Sequence, residues 1–318
     1  MPIFVNIAPR PQILTGRGAH RWDEANVITR QRRLVVAIIV GILQSTAWPA
    51  VAAERRPLPI RLPLTFIRQN AVATIVVEGH EAGAVIDTGG VEDAPFMLSK
   101  TLIESSGGIR LALTHVSTDA FAHNSIRPIF RVPAVTLGGR TFHNVTVIQA
   151  PTQDRRSSPP QPAPNMIGRK FLSQYLVVLD FPHRSITLWP PQSRASASIG
   201  CADAGIPMES IRQRELAVSV FQSQHGRLRL LFDTGASYSA LPETLAGKLR
   251  LPTVAHGPGR VRFYDSSALS ADGRDFGPLE FVILPLKPPA DFQGMIGWNF
   301  FMRHVTCLDY RRREIYIR

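Results

Sequence analysis

The sequence predicts an all-β protein, mainly strands with short helices, built from two tandem copies of one unit. Three observations predict it. First, 26 Pro and 23 Gly place frequent turns between clusters of Val, Ile, Leu and Phe, and charged helical runs are few. Second, an apolar run ends in Asp-Thr-Gly twice, as Ala84-Val85-Ile86-Asp87-Thr88-Gly89 and as Leu230-Leu231-Phe232-Asp233-Thr234-Gly235. Third, a stretch of apolar residues, Gly and a hairpin recurs near the end of each copy. Self-similarity on this scale marks a duplicated structural unit.

The N-terminus stands apart from that repeat. Arg30, Arg32 and Arg33 precede the apolar run Leu34 to Leu43, and Ala50-Val51-Ala52-Ala53 follows Pro49. A positive segment, a short apolar core and a small-residue site have the order of an export signal. Residues 1–53 are therefore expected to be a leader cleaved near Ala52 or Ala53, from an exported protein, periplasmic or extracellular. An uncleaved membrane tether is the alternative. The 33 residues ahead of the apolar run are many for a signal.

The chain is long enough to bury two cores, at 44% apolar and 19% charged residues. Its net charge is +12, of which the leader supplies +4, from six Arg against Asp23 and Glu24. The remaining charge is scattered, with no basic patch interleaved with aromatics, so no nucleic-acid partner is expected. Arg311-Arg312-Arg313 sits between Asp309-Tyr310 and Glu314-Ile315, as a solvated hairpin turn would. Cys201 and Cys307 are the two cysteines. In an exported protein they either form one disulfide or remain buried thiols. Neither they nor the nine His have zinc-ligand spacing, so no metal site is expected.

In chain order, Ile60 to Val77 reads as strand, turn and strand, the turn at Arg68-Gln69-Asn70. Gly79 to Gly83 turns the chain into the strand ending at Asp87. Phe96 to Leu102 reads as the opening of a short helix. Val132 to Val147 reads as strands around Gly138-Gly139-Arg140. Pro151 to Pro164 is rich in Pro, Ser and Gln and reads as a mobile loop. Then Met166-Ile167-Gly168-Arg169-Lys170-Phe171-Leu172 leads into a hairpin through Asp180 and Arg184.

That last segment is matched by Met295-Ile296-Gly297-Trp298-Asn299-Phe300-Phe301 and the hairpin through Asp309 and Arg313. At an offset of 129, eight positions are identical: Met166/Met295, Ile167/Ile296, Gly168/Gly297, Phe171/Phe300, Leu179/Leu308, Asp180/Asp309, Arg184/Arg313 and Ile186/Ile315. The Asp-Thr-Gly motifs are 146 apart, so the second unit is 17 residues shorter between landmarks. The Pro-rich loop is expected to account for much of that. The units are assigned to 58–190 and 205–318, with 191–204 as linker. Asp180 and Asp309 each end a strand before a turn and are read as turn caps, not as a second carboxylate pair.

Asp-Thr-Gly-Ala-Ser followed 60–80 residues later by two apolar residues and Gly resembles the retropepsin-like aspartic proteases. In that family each small β unit supplies one Asp. Two units make one site, as a homodimer or as the two lobes of one chain. The resemblance covers about residues 58–318. It implies two retropepsin-like barrels in a pseudo-two-fold bilobal structure. Asp87 and Asp233 would be the catalytic pair, with Thr88, Gly89, Thr234, Gly235 and Ser237 shaping and bracing the active loops. Ile296-Gly297 resembles the element that crosses behind the active loop. Gly90 departs from the family's Ala or Ser and is expected to loosen the first turn. Ala120 to Ser125 and Phe263-Tyr264-Asp265-Ser266 are candidate flaps.

Two carboxylates in contact cannot both ionise readily and share a proton. The ionised one takes a proton from water while the protonated one polarises the scissile carbonyl. The expected function is an exported aspartic endopeptidase acting on peptide or protein substrates. It would be a monomer and need no cofactor. The alternatives are a non-catalytic peptide-binding protein of the same fold, and a protease active only as a homodimer through Asp233.

Overall fold

The computed structural model describes residues 58–90, 94–118, 121, 124–151, 165–209, 216–256, 261–288 and 291–318. The expected leader and nearly all of the Pro-rich loop lie outside the described residues.

The first half opens with β1 (Ile60–Pro63), β2 (Thr65–Ile67), β3 (Asn70–Val77) and β4 (His80–Asp87). Along β3, Ala71, Ala73, Ile75 and Val77 point inward in strict alternation, the period of a strand with one face on a core. Two-residue turns join β2 to β3 and β3 to β4. Their residues, Arg68-Gln69 and Glu78-Gly79, all have positive φ, the conformation that matches the twist of a tight hairpin.

Phe96 to Leu98 forms a strand, β5, and the helix α1 begins only at Lys100, ending at Ser105. The sequence places the helix start too early. All three β5 side chains are buried between strand neighbours, and a strand buried on both faces lacks the alternation that tells it from a helix. A long hairpin follows, β6 (Ile109–Thr118) and β7 (Asn124–Leu137). Gly138-Gly139, with φ of 54° and 78°, turns β7 into β8 (Arg140–Gln149). Next come β9 (Asn165–Gly168), α2 (Arg169–Leu172), β10 (Leu176–Asp180) and β11 (Ser185–Trp189).

The second half repeats the plan. It runs through β12 (Ile206–Pro207), β13 (Val218–Ser223), β14 (Gly226–Phe232), β15 (Ala240–Pro242), α3 (Glu243–Lys248), β16 (Val254–His256) and β17 (Val261–Ser266). Then follow β18 (Leu269–Ala271), β19 (Arg274–Asp275), β20 (Leu279–Leu284), β21 (Gly294–Ile296), α4 (Trp298–Phe301), β22 (Thr306–Asp309) and β23 (Glu314–Ile317).

The strands form three sheets. Eight strands, β2 to β9, belong to the first half, and nine, β13 to β21, to the second. The third sheet has the order β1-β11-β10-β22-β23-β12, three strands from each half. At its centre β10 meets β22 with Val177 opposite Leu308 and Leu179 opposite Thr306. The 129-residue offset exchanges these two pairs, so the pseudo-two-fold axis passes between them. The result is a bilobal all-β fold.

An aromatic seam joins the halves. Phe66 stands edge-on to Trp298 at 4.5 Å between centroids, and Phe181 lies 5.4 Å from Phe301. Such pairs add about 0.5–1.5 kcal/mol each beyond the area they bury. Asp180 Oδ1 accepts from His183 N, and Asp309 Oδ1 accepts from Arg312 N, so both recurrent carboxylates cap hairpin turns. The identical Arg184 and Arg313 both hold positive φ there.

Cys201 and Cys307 are joined, with Cα atoms 5.8 Å apart. The bond ties the segment between the halves onto β22, where Leu176, Val178, Val305 and Tyr316 surround it. Among the described residues no helix is long and apolar enough to cross a membrane.

The Pro-rich loop explains less of the length difference than the sequence implies. Met97 pairs with Ile148 and Met166, as Ala240 pairs with Val282 and Met295. From Asp87 to Ile148 is 61 positions but from Asp233 to Val282 only 49. Three of the twelve positions that differ fall between the Asp and β5 or β15, and nine in the hairpin region, where the ten-residue β6 faces a three-residue β16.

Candidate active site

Each Asp-Thr-Gly motif closes a strand that is hydrogen-bonded in parallel to the apolar-Gly strand of its own half. Ile86 pairs with Ile167 and Asp87 with Gly168 along β4 and β9. Phe232 pairs with Ile296 along β14 and β21, and Asp233 N donates to Ile296 O at 2.9 Å. Ile86 and Phe232 are 146 apart, and Ile167 and Ile296 are 129 apart, so both sequence offsets are realised in one register. Each motif thus leaves a sheet interior whose side chains are fully buried, which fixes where its carboxylate emerges.

The two loops interlock through their threonines. Thr88 N donates to Thr234 Oγ1 at 3.1 Å, and Thr234 N donates to Thr88 Oγ1 at 3.0 Å. Each hydroxyl also donates across the axis: Thr88 Oγ1 to Phe232 O at 2.7 Å and Thr234 Oγ1 to Ile86 O at 2.8 Å. Both threonines are buried, so no water competes for these four bonds.

The interlock brings Asp87 and Asp233 together. Asp87 Oδ1 accepts from Gly89 N at 3.0 Å, and Asp233 Oδ1 accepts from Gly235 N at 2.9 Å. The two carboxyl groups act on each other's titration. Each also lies against the glycine of the opposite motif. A Cβ on Gly89 would stand 2.5 Å from Asp233 Cγ, and one on Gly235 would stand 2.8 Å from Asp87 Cγ. Glycine is required at both places because any side chain would occupy the partner's carboxyl.

Both Asp side chains are only 1% exposed. Burial pushes Asp87 up to about 6, against the lowering effects of the Gly89 N–H, the Asp233 hydrogen bond, the Arg169 charge and the Gly90 N–H. Asp233 is raised well above the usual carboxylate range, first by burial and then by the charge of Asp87. Both carboxyls are thus pushed towards the neutral form, and two such groups in contact titrate as a pair. Among the described residues no donor is within hydrogen-bond reach of Asp233 Oδ2.

Gly90 does not loosen the first turn. A Cβ there would stand 2.2 Å from Asp87 Oδ2, and the Gly90 N–H helps to hold the carboxylate. At the matching position of the second half stands Ala236, whose N–H likewise acts on Asp233. Ser237 is half-buried in the second turn. Gly297 lets the crossing strand approach: a Cβ would stand 2.5 Å from the Tyr238 carbonyl. Trp298 N donates to Ala236 O at 3.0 Å, and Arg169 N donates to Gly90 O at 3.1 Å, the same bond in each half.

The two flap candidates differ in outcome. Ala120 to Ser125 falls where β6 turns into β7, and Phe121, in that connection, packs against a second-half cluster that includes Leu231, Ala236 and Phe292. Phe263 to Ser266 is instead the body of β17, paired with β20, and Tyr264 is 1% exposed and stacked on Phe281. That stretch reads like a flap because its aromatic-polar alternation is shared by any half-buried strand. A separate groove of about 290 Å³ is lined by Glu209, Ser219, Gln222, Arg227 and Asp272, among others, and includes no residue of either Asp loop.

One neighbour of the dyad escaped the sequence reading. Arg169 is among the largest fully buried side chains, and its charge acts on Asp87. The signal was present in the repeat, where Arg169 stands opposite Trp298.

The fold is that of pepsin-like aspartic proteinases. The aspartic proteinase from Irpex lacteus superimposes with a TM-score of 0.56 at 12% identity, over 82% of this chain and 97% of that one. Likeness at this identity shows the fold alone. No family model and no curated protein sequence matches the chain.

Proposed function

We propose that the chain is an aspartic endopeptidase in which Asp87 and Asp233 activate water for peptide hydrolysis. The single observation that carries this reading is the meeting of two buried carboxyls, one from each half, fixed by the crossed threonines. Asp87 takes a proton from the attacking water, and Asp233 donates its proton to the scissile carbonyl oxygen. The tetrahedral intermediate then collapses with proton transfer to the departing amine. Thr88, Gly89, Thr234, Gly235 and Ser237 shape the loops and do not exchange protons with the substrate. The Asp-Thr-Gly-Ala-Ser and Ile-Gly motifs support a retropepsin-like ancestry for the halves.

The substrate is a peptide or an unfolded protein segment, able to lie extended between the lobes. The enzyme is a monomer carrying its own pseudo-dimer. The leader pattern supports export, and a disulfide suits an oxidising compartment. A non-catalytic peptide-binding protein is the competing reading, favoured by the near-complete burial of both carboxyls. Cleavage of a denatured protein, abolished by a statine-type inhibitor and by Asp233→Asn, establishes the peptidase. Binding of the inhibitor without any cleavage over the pH range establishes the competitor.

A further inference from the structure

The first half carries a longer outer hairpin than the second. β6 runs ten residues where β16 runs three. It is the last strand of its sheet, with β7 on one side and no strand on the other among the described residues. About half of the N–H and C=O groups of such an edge point away from the sheet without a ladder partner. The edge is also apolar. Ile109 and Leu113 on β6 are 69% and 63% exposed, and Val116 lies exposed opposite Ile126 of β7, itself 73% exposed. Four of the seven large apolar side chains left exposed among the described residues lie on this hairpin, so the exposure is concentrated rather than scattered. The charge has one sign. β6 and β7 contain no Asp or Glu. Arg110 and Arg131, exposed at the base of the hairpin, form no ion pair among the described residues.

We propose that the outer edge of β6 docks an extended polypeptide segment that is both apolar and acidic. On the aspartic-peptidase reading above, that segment is a part of the substrate beyond the bond that is cut. Naming the partner a substrate rests on that reading; the docking does not. Thr114 to Thr118 keep unbroken register with β7 and supply the edge. Val116 and Ile126 supply the apolar face, and Arg110 and Arg131 the charge. Phe121, from the connection of the same hairpin, packs on the cluster that includes Ala236 of the second Asp loop. A segment held on β6 is therefore held by an element that reaches the dyad.

The chemistry of the edge selects this partner over two others. A bilayer offers no donors or acceptors to an open strand edge, which is why such edges are not found facing lipid. A second copy of the chain brings the same two arginines and the same lack of carboxylates, so its hairpin is repelled rather than attracted. The bulge between Arg110 and Thr114 also breaks the straight register that pairing of two identical edges uses. An extended peptide meets all three demands. Its backbone completes the ladder, its alternate apolar side chains cover Val116 and Ile126, and its carboxylates pair with the arginines.

The test is fluorescence anisotropy of the full chain with a short labelled peptide of alternating Val and Thr, with Asp at both ends. A second form carries Lys for Asp, and a third is N-methylated at alternate amides. The acidic peptide should bind, and more weakly as salt rises. The other two should bind at least about tenfold more weakly. The double variant Arg110→Glu with Arg131→Glu should lose about tenfold in affinity for the acidic peptide. It should cleave a short peptide spanning only the dyad as the parent does, while its KM rises for a long substrate that carries the acidic segment. Equal affinity for the Asp and Lys forms, or for the N-methylated form, overturns the proposal without any variant. Unmoved binding in the folded double variant overturns it equally. Self-association in sedimentation without peptide binding gives the edge to a second copy, and binding to anionic vesicles without peptide binding gives it to a bilayer; either overturns it. Binding of the acidic peptide with no cleavage of any substrate supports the docking site and overturns the peptidase reading alone.

Discussion

Thr88 and Thr234 each donate a backbone N–H to the other's hydroxyl, at 3.1 and 3.0 Å, and each hydroxyl donates back across the axis. Removing one hydroxyl breaks two of these four bonds and strands a buried N–H and a buried carbonyl. Thr88→Ala or Thr234→Ala is therefore expected to cost about 2–4 kcal/mol of stability, on the order of 1–3 for each unsatisfied group with partial relaxation. The double variant should cost clearly less than the sum, because both changes remove the same reciprocal unit. Urea unfolding of the three variants measures this. Additive losses would mean that the two loops are held independently.

At Gly90 the prediction is steric. A Cβ at 2.2 Å from Asp87 Oδ2 forces the carboxylate to rotate away from its Gly89 and Gly90 donors. Gly90→Ala should fold, since no backbone atom opposes the Cβ, and should lose activity by about 10²-fold through misplacement of the base. Parent-like activity would show that Ala is as well suited here as Ala236 is in the second half.

Much of this was legible in the sequence because the repeat carries it. Both offsets survive as strand register, with Ile86 beside Ile167 and Phe232 beside Ile296. The recurrence of Asp180 and Asp309 as turn residues follows from local chemistry, and their carboxylates do cap turns. What the sequence hid is what depends on distance in space. β5 reads as helix because a doubly buried strand has no alternation. Gly90 reads as a defect because nothing local shows that the Asp87 carboxylate lies over it. Arg169 is buried, which a single basic residue in a sequence does not reveal.

The raised carboxyls make a prediction about stability and pH. A group whose folded pKa exceeds its unfolded value binds more protons when folded, so its stabilising contribution is full below the unfolded value and is lost as pH rises. For Asp87 the window runs from the ordinary 3.8 to about 6, and for Asp233 it extends higher. The folded protein should therefore lose stability through this range. Asp233→Asn, neutral at every pH, should be more stable than the parent at neutral pH and should lose that advantage in acid. Thermal unfolding at several pH values tests it. An advantage independent of pH would point to repacking rather than to the charge.

Phe121 reaches from the β6–β7 connection to the second half's apolar cluster, which includes Ala236 of the second Asp loop, and both carboxyls are 1% exposed. Phe121→Ala should admit water to the dyad. Burial is the first cause of the Asp87 shift, so the acid limb should fall below about 6. The pH profile of kcat/KM decides. An unmoved limb would mean that the sheets, not the hairpin, keep the dyad dry.

The last prediction concerns where the two carboxyls come from. Asp87 and Asp233 belong to one chain, and the threonine bonds that fix their loops join residues 146 apart in that chain. The halves also share a six-stranded sheet, an aromatic seam and a disulfide on β22. A second copy would have to displace all of these to supply its own Asp233. Intramolecular pairing also carries a high effective concentration that a partner in dilute solution cannot match. Activity per molecule should therefore be constant on dilution, and Asp87→Asn and Asp233→Asn should each lower it by about 10³-fold or more while the protein sediments as a monomer. A homodimer working through two copies of Asp233 predicts the reverse: Asp87→Asn stays active, and activity falls as the protein is diluted. Mixing inactive Asp87→Asn with inactive Asp233→Asn separates the two arrangements further. The single-chain dyad gives no recovery, because neither molecule holds both carboxyls. Recovery on mixing would require exchange of halves between chains, against the seam and the disulfide that hold them together.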